Sequence, residues 1–303
     1  MRGVFKMQEA ARGSRPNTAL KNHFVLRNKI WFFVLPSLVG TSVFFFIPAA
    51  TMFIYAFSNA RGEFVWFANF IDILTNSVFQ LAASNSLLFM AVILPLNVVI
   101  PFLLASAMRN LRYKNAFAVA FMLPLIIPSG SVVFFWNSLF ADNGAINSML
   151  FQMGLDTVPW LMTDWAFWIV VLIFLFRNIG FNMVLFMAGL SLIPNDYYES
   201  VKLDGAGAFA TFRNVTLVYI MPTAFLAFMM SIINSFRIFR EIFLLFGPYP
   251  HHSVYMLQHF MNNQFLFANM QRLSVTAIAL SVGVVILVVG VFTGQQKLSD
   301  TFS

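Results

Sequence analysis

The chain has no cysteine and only four histidines among its 303 residues. Neither a disulfide framework nor a thiolate metal site can be built from it. Charge is scarce as well: charged residues make up 10% of the chain, against about 25% in a soluble globular protein. No Gly-Lys pair occurs, which excludes a phosphate-binding loop of the P-loop type. No Ser/His/Asp arrangement can be assembled, so this chain is not expected to be an enzyme or to bind a cofactor of its own. His251, His252 and His259 lie close together without a carboxylate beside them in sequence. They read as a solvated or aromatic-packed group rather than a metal site. The net charge of +7 does not indicate nucleic acid, because the basic residues sit in short connections that leave no surface to hold it.

What the chain has instead is apolar length. Hydrophobic residues make up 60% of it, in continuous rather than alternating runs. Continuous runs of about 20 residues are spanning helices, since only a helix satisfies its backbone within one such segment. Six are expected, at Ile30–Phe57, Phe79–Met108, Asn115–Leu139, Trp165–Leu190, Val215–Phe236 and Leu273–Phe292, giving an all-α polytopic membrane protein. Residues 1–29 form a polar basic tail, 30–293 the transmembrane domain, and 294–303 a second tail. The first apolar run is too long for the h-region of a signal peptide. Basic residues in the connections number 13 on the side of the two tails and 4 on the other, so both termini are expected in the cytoplasm. Prolines punctuate the spans at Pro36, Pro48, Pro95, Pro101, Pro124, Pro128 and Pro222. Each removes a backbone donor and tends to kink its helix, and neighbouring helices can satisfy the freed carbonyl.

One polar segment stands out between the fourth and fifth spans, within residues 195–214. Tyr198, Val201 and Leu203 precede Gly205 and Gly207 at helical spacing, and Phe209, Phe212 and Val215 follow them. The pattern predicts a short amphipathic helix, a glycine turn and a second helix. Beyond it, Gly247-Pro248-Tyr249-Pro250 predicts a turn, and Ser253 to Met261 an interfacial helix, within a long aromatic stretch from Arg237 to Arg272.

The polar segment carries a resemblance. Glu199-Ser200-Val201-Lys202-Leu203-Asp204-Gly205-Ala206 resembles the "E-A-A-x-x-D-G-A" loop of ABC importer permeases, and Phe212 to Leu217 resembles the "F-x-x-I-x-L-P" that follows it. Leu185 to Pro194 is similar to the "L-F-L-A-G-L-Q-x-I-P" of carbohydrate permeases of the maltose type. Phe64 to Phe70, Trp31 to Pro36 and Pro159-Trp160-Leu161 are similar to other segments of that family. The chain departs from the pattern at Ser200 and Val201, where alanines are usual, and at Val218, where proline is usual. The family's "G-G-P" is reduced to Gly247-Pro248.

The resemblance implies a type I ABC importer permease fold. It implies a pairing with a second homologous permease, two ATPase subunits that carry ATP and Mg, and an extracytoplasmic solute-binding protein, all in a bacterial cytoplasmic membrane and in contact with its lipid. Tyr198, Glu199, Ser200, Val201, Asp204, Gly205 and Ala206 would then form the ATPase-coupling loop. The substrate path would draw on Phe176, Arg177, Asn178, Gly180 and Asn182 of the fourth span, and on Asn234, Ser235 and Phe236 of the fifth. Amides and hydroxyls hydrogen-bond sugar hydroxyls, and aromatic faces stack on sugar rings. Asn182, Asn234 and Ser235 are expected to share a cavity. Arg177 at membrane depth is expected to be functional, or else to snorkel, and an anionic sugar would suit it. The rival reading is a secondary carrier or channel with no ATPase, which would call for a buried Asp, Glu or His. None is placed at mid-depth in the six spans.

Overall fold

The computed structural model describes residues 33–109 and 111–302, with side chains placed up to residue 296. The basic tail expected at 1–29 and the start of the first span lie outside the described residues. Among those described there is no β-strand, only one isolated bridge between Ser58 and Phe64. Among the described residues, five helical segments are long and apolar enough to cross a membrane, or six if one sharply bent pair counts as a span.

The chain divides into two units, residues 1–55 and 56–303. The first is represented by α1 (Phe33–Phe57), whose last two residues fall in the second unit. It contains a π-helical turn at Ser42–Phe46, just before Pro48 withdraws a donor from the ladder. A π-turn at such a point is one of the ways a helix absorbs the defect.

In the second unit α2 (Ala68–Thr75) leads into α3 (Ser77–Met108). The Asn76 side chain caps α3 by accepting from the Val78 and Phe79 amides, both at 3.0 Å. The most buried span is α7 (Trp165–Ser191), on which α3, α4 (Lys114–Ile126) and α10 (Leu217–Ser235) all pack. Phe89 of α3 meets Phe174 of α7 edge-on in the centre of this core. Gly180 is what lets α4 approach α7. A Cβ at Gly180 would lie 1.9 Å from the Phe121 carbonyl oxygen, and small residues are the usual means of such close contact in membranes.

The prolines also explain a buried polar knot. Pro101 has no N–H for the carbonyl of Asn97, four residues earlier on α3. Asn182 of α7 donates its Nδ2 to that carbonyl at 2.7 Å and to Ser231 Oγ of α10 at 3.0 Å, while Asn97 Nδ2 donates to Ser231 Oγ at 2.8 Å. Three helices are thereby joined at a freed carbonyl.

The third expected span is not continuous. It is broken into α4 and α5 (Ser129–Phe140), followed by α6 (Ala145–Gln152), with a bend of 96° between the halves. Pro128 disfavours the helical conformation at the preceding residue, and here both Ile127 (ψ 131°) and Pro128 (ψ 141°) are extended. At about 1.5 Å per residue, α4 alone is far shorter than the roughly 30 Å hydrocarbon core.

Two further boundaries differ from the sequence reading. The fifth span is part of a longer helical stretch, Ala208–Phe246, made of α9 (Ala208–Thr211), a π-turn at Phe212–Thr216, α10 and α11 (Phe239–Phe246). Arg237, Arg240 and Glu241 therefore belong to this stretch and not to a loop. The last helix, α13 (Met270–Phe302), runs through the stretch expected to be a tail. Gly247 makes the expected turn at φ 76°, and the helix expected at Ser253 to Met261 is α12 (Leu257–Leu266), shifted a few residues along the chain. Arg272 of α13 ties back to Asp72 of α2, Nε to Oδ2 at 2.9 Å.

Candidate functional site

The break at Pro128 has a consequence inside the bundle. It places Ser129, the first residue of α5, against Arg177 of α7 and Glu241 of α11. Ser129 Oγ donates to Glu241 Oε1 at 2.7 Å, Arg177 Nη1 donates to Ser129 Oγ at 2.8 Å, and Arg177 and Glu241 form an ion pair. Glu241 is only 5% exposed. A buried carboxylate persists only when paired and hydrogen-bonded, and both conditions are met. The Arg177 charge, expected from sequence to face a substrate or snorkel, is instead satisfied within the protein. The buried carboxylate missing from the sequence reading is Glu241, which was assigned to a loop. Its signal was available: it is the sole acidic residue between Arg237 and Arg272, set in the apolar run of α11.

These three residues line a cavity of about 430 Å³. Asn178, Asn234, Arg237 and Arg240 also line it, so its wall holds three arginines and one glutamate. Three of the path residues expected from sequence, Arg177, Asn178 and Asn234, thus meet here. The others lie elsewhere. Phe176 lines a separate apolar groove with Phe121, Pro124 and Trp136. Phe236 lines another with Phe79 and Leu257. Gly180 faces the α4 backbone, Asn182 belongs to the knot with Asn97 and Ser231, and Ser235 donates to the Ile232 carbonyl of its own helix at 2.6 Å. Asn178 likewise donates to its own helix, at the Phe174 carbonyl.

The polar segment between the fourth and fifth spans forms α8 (Asn195–Leu203). It ends in a paired closure: Ala206 N–H donates to Val201 O at 3.1 Å and Gly205 N–H to Lys202 O at 3.0 Å. That is the Schellman arrangement, which needs a left-handed residue at the penultimate position. Gly205 supplies it with φ 74°. The helix shows two faces, as i and i+3 positions must share one. Tyr198 and Val201 pack inward against the cluster of Met183, Phe186 and Val215. The Arg109 guanidinium lies 4.5 Å above the Tyr198 ring, and the Tyr198 hydroxyl is 3.3 Å from Thr216 Oγ1. The outer face presents Glu199 and Ser200, together with Leu203 at 89% exposure; beyond the helix, Asp204 and, on α9, Phe209 at 75% are exposed as well. Of Tyr197, Tyr198, Val201 and Phe209, the apolar groups expected from sequence to offer contact to a partner, Tyr198 and Val201 instead anchor the helix to its own bundle, whereas Tyr197 and Phe209 are exposed, as is Leu203.

The histidines divide. His259 is fully buried beside Phe239 and Tyr255, the aromatic packing expected. Burial lowers its pKa to about 4. His251 and His252, however, do have a carboxylate beside them. Folding brings Asp164, the residue before α7, to 3.9 Å from His251 Nδ1 and 3.8 Å from His252 Nε2.

A bundle of kinked helices with a polar cavity beside its central span and a glycine-turned helix between two spans defines a membrane transport subunit. The chain belongs to the family described as "Binding-protein-dependent transport system inner membrane component", whose model matches residues 97–296. It is a multi-pass permease. It is 28% identical over 281 residues to the arabinooligosaccharides transport system permease protein AraP of Bacillus subtilis, covering 90% of this chain and 88% of that one. It is 26% identical over 235 residues to the lactose transport system permease protein LacF of Rhizobium radiobacter, covering 75% and 78%. In fold it matches a chain of a bacterial ABC transporter involved in the import of the acidic polysaccharide alginate, with a TM-score of 0.81 at 20% identity, over 93% of this chain and 99% of that one.

Proposed function

We propose that this chain is one of two permease subunits of an ATP-driven importer in a bacterial cytoplasmic membrane, and that it forms part of the path of a carbohydrate handed over by an extracytoplasmic binding protein. The observation that carries the reading is α8. Its inner face is anchored through Tyr198 to the end of α3 and to the start of the fifth-span helical stretch, while Glu199 and Leu203 on its outer face, and Phe209 of the following α9, are exposed and free for a partner. A subunit that closes on ATP can move spans only through such an element. The excess of basic residues on one side supports a cytoplasmic location for α8 and both termini. The names of the relatives, which include lactose and arabinooligosaccharide permeases, support a carbohydrate. Arg177, Asn178 and Asn234 are the path residues that share the cavity.

The decisive experiment is reconstitution. The chain, its partner permease, ATPase and binding protein are placed in proteoliposomes with labelled oligosaccharide outside. Uptake should require enclosed ATP and be lost with a hydrolysis-deficient ATPase. Uptake driven by an ion gradient, without ATP, would assign the chain to the carrier class instead.

A further inference from the structure

We propose that Asp164, His251 and His252 form a binding site for a divalent transition ion of the zinc class. Their candidate ligand atoms all lie within 4.8 Å of one another. The two imidazoles sit side by side, ring centroids 4.1 Å apart and tilted by 37°. Two neutral imidazole nitrogens and one carboxylate oxygen suit zinc, nickel or copper, whereas magnesium and calcium take all-oxygen shells. The set matches the three-ligand zinc sites that keep a fourth position for water.

The distances fit such an ion after a small adjustment. Zinc bonds of about 2.0–2.2 Å in a tetrahedron separate two ligand atoms by roughly 3.4 Å. The separations from Asp164 Oδ1 are 3.9 Å to His251 and 3.8 Å to His252. The side chains that must move are free to do so, with Asp164 81% and His252 66% exposed. The backbone beneath them is fixed. Asp164 directly precedes α7, and His252 opens a 3-10 turn whose Val254 is buried in the core cluster of α7. Ser253 Oγ is 2.9 Å from His251 Nδ1, and coordination through that nitrogen would displace the hydroxyl.

The site joins two segments that meet again in the cavity. Asp164 heads the helix that carries Arg177, and His251 and His252 lie on the connection that follows α11, which carries Glu241. In the orientation proposed above the site opens to the extracytoplasmic side, and that statement rests on the proposed orientation. Metal binding itself does not, so the two can fail separately.

The test uses the intact transporter, purified without a polyhistidine tag, and zinc ions titrated against a chromophoric chelator. Wild type should bind one zinc more than the Asp164→Asn/His252→Ala double variant. His252→Ala alone should weaken that ion at least tenfold. His252→Cys, which keeps a zinc ligand at the position, should retain it. Equal zinc stoichiometry and affinity in wild type and the double variant overturns the site, as does loss of the ion in His252→Cys as complete as in His252→Ala.

Discussion

Asn182 on α7 holds the carbonyl of Asn97 on α3 at 2.7 Å, the carbonyl that Pro101 leaves without a backbone donor. The kink and the interhelical bond are one feature. Asn182→Leu would strand a buried acceptor, at a cost of about 1–3 kcal/mol. We expect a lower thermal midpoint for the purified complex. In a Pro101→Ala background the carbonyl regains a helical donor, and the loss from Asn182→Leu should shrink. An equal loss in both backgrounds would show that the bond does not serve the proline break.

Arg177 and Glu241 should behave as a unit. Removing one partner of a buried pair leaves an uncompensated charge and costs about 3–5 kcal/mol. Glu241→Gln and Arg177→Gln should each reduce thermal stability markedly, and the double variant should recover much of the loss. Additive losses would mean that the two charges act separately. Because Glu241 already neutralises Arg177, Arg177→Gln should impair uptake of acidic and neutral oligosaccharides alike. A selective loss of the acidic one would mean that Arg177 reads the substrate charge.

His259 makes stability depend on pH. Its pKa is held at about 4 in the folded protein by burial, against about 6.5 in an unfolded chain. The neutral ring is the one that packs, so its contribution is fully present above pH 6.5 and is lost as pH falls from there towards 4. The loss at the acid end is on the order of 3 kcal/mol. Thermal midpoints measured between pH 7 and 4 should fall more steeply for wild type than for His259→Phe. Parallel curves would contradict this assignment.

The orientation is open to direct labelling, since the chain has no cysteine to confuse it. Single cysteines at Asn143 and at Leu203, which is 89% exposed, should react with an impermeant maleimide from opposite sides, Asn143 from outside the cell. Labelling of both from one side would overturn it.

The sequence made the spans legible because apolar runs and basic connections are one-dimensional signals. It also made α8 legible: the spacing of Tyr198 and Val201 and the glycine at 205 describe a helix and its stop. Which face of α8 turned inward was not legible, because an amphipathic helix between spans can face its own bundle or a partner. The 96° bend was underread. Pro124 and Pro128 were visible, but a kink and a break differ only in whether the residue before the proline leaves the helical region, as Ile127 does. The cavity was half legible. Its α7 and α10 residues could be guessed as polar groups in apolar spans. Glu241 stood out as the sole acidic residue of its stretch, but its meeting with Ser129 could not be read, since it depends on that break and on the continuation of the fifth span into α11. The Asp164 carboxylate joins the histidines across a long stretch of sequence, which no local pattern reports.

The central claim is that α8 is the element through which an ATPase drives these spans. Gly205 closes it at φ 74° with open space where a Cβ would point, so a substitution there acts through backbone strain and not through a clash within this chain. A β-branched residue is an outlier at positive φ, whereas asparagine tolerates it. The measurement is ATPase co-purification together with oligosaccharide uptake for Gly205→Val and Gly205→Asn, at matched permease levels in the membrane. The account predicts that Gly205→Val inserts and pairs with the second permease, yet loses uptake and retains little ATPase, while Gly205→Asn keeps most of both. Normal ATPase retention and normal uptake in Gly205→Val would contradict it.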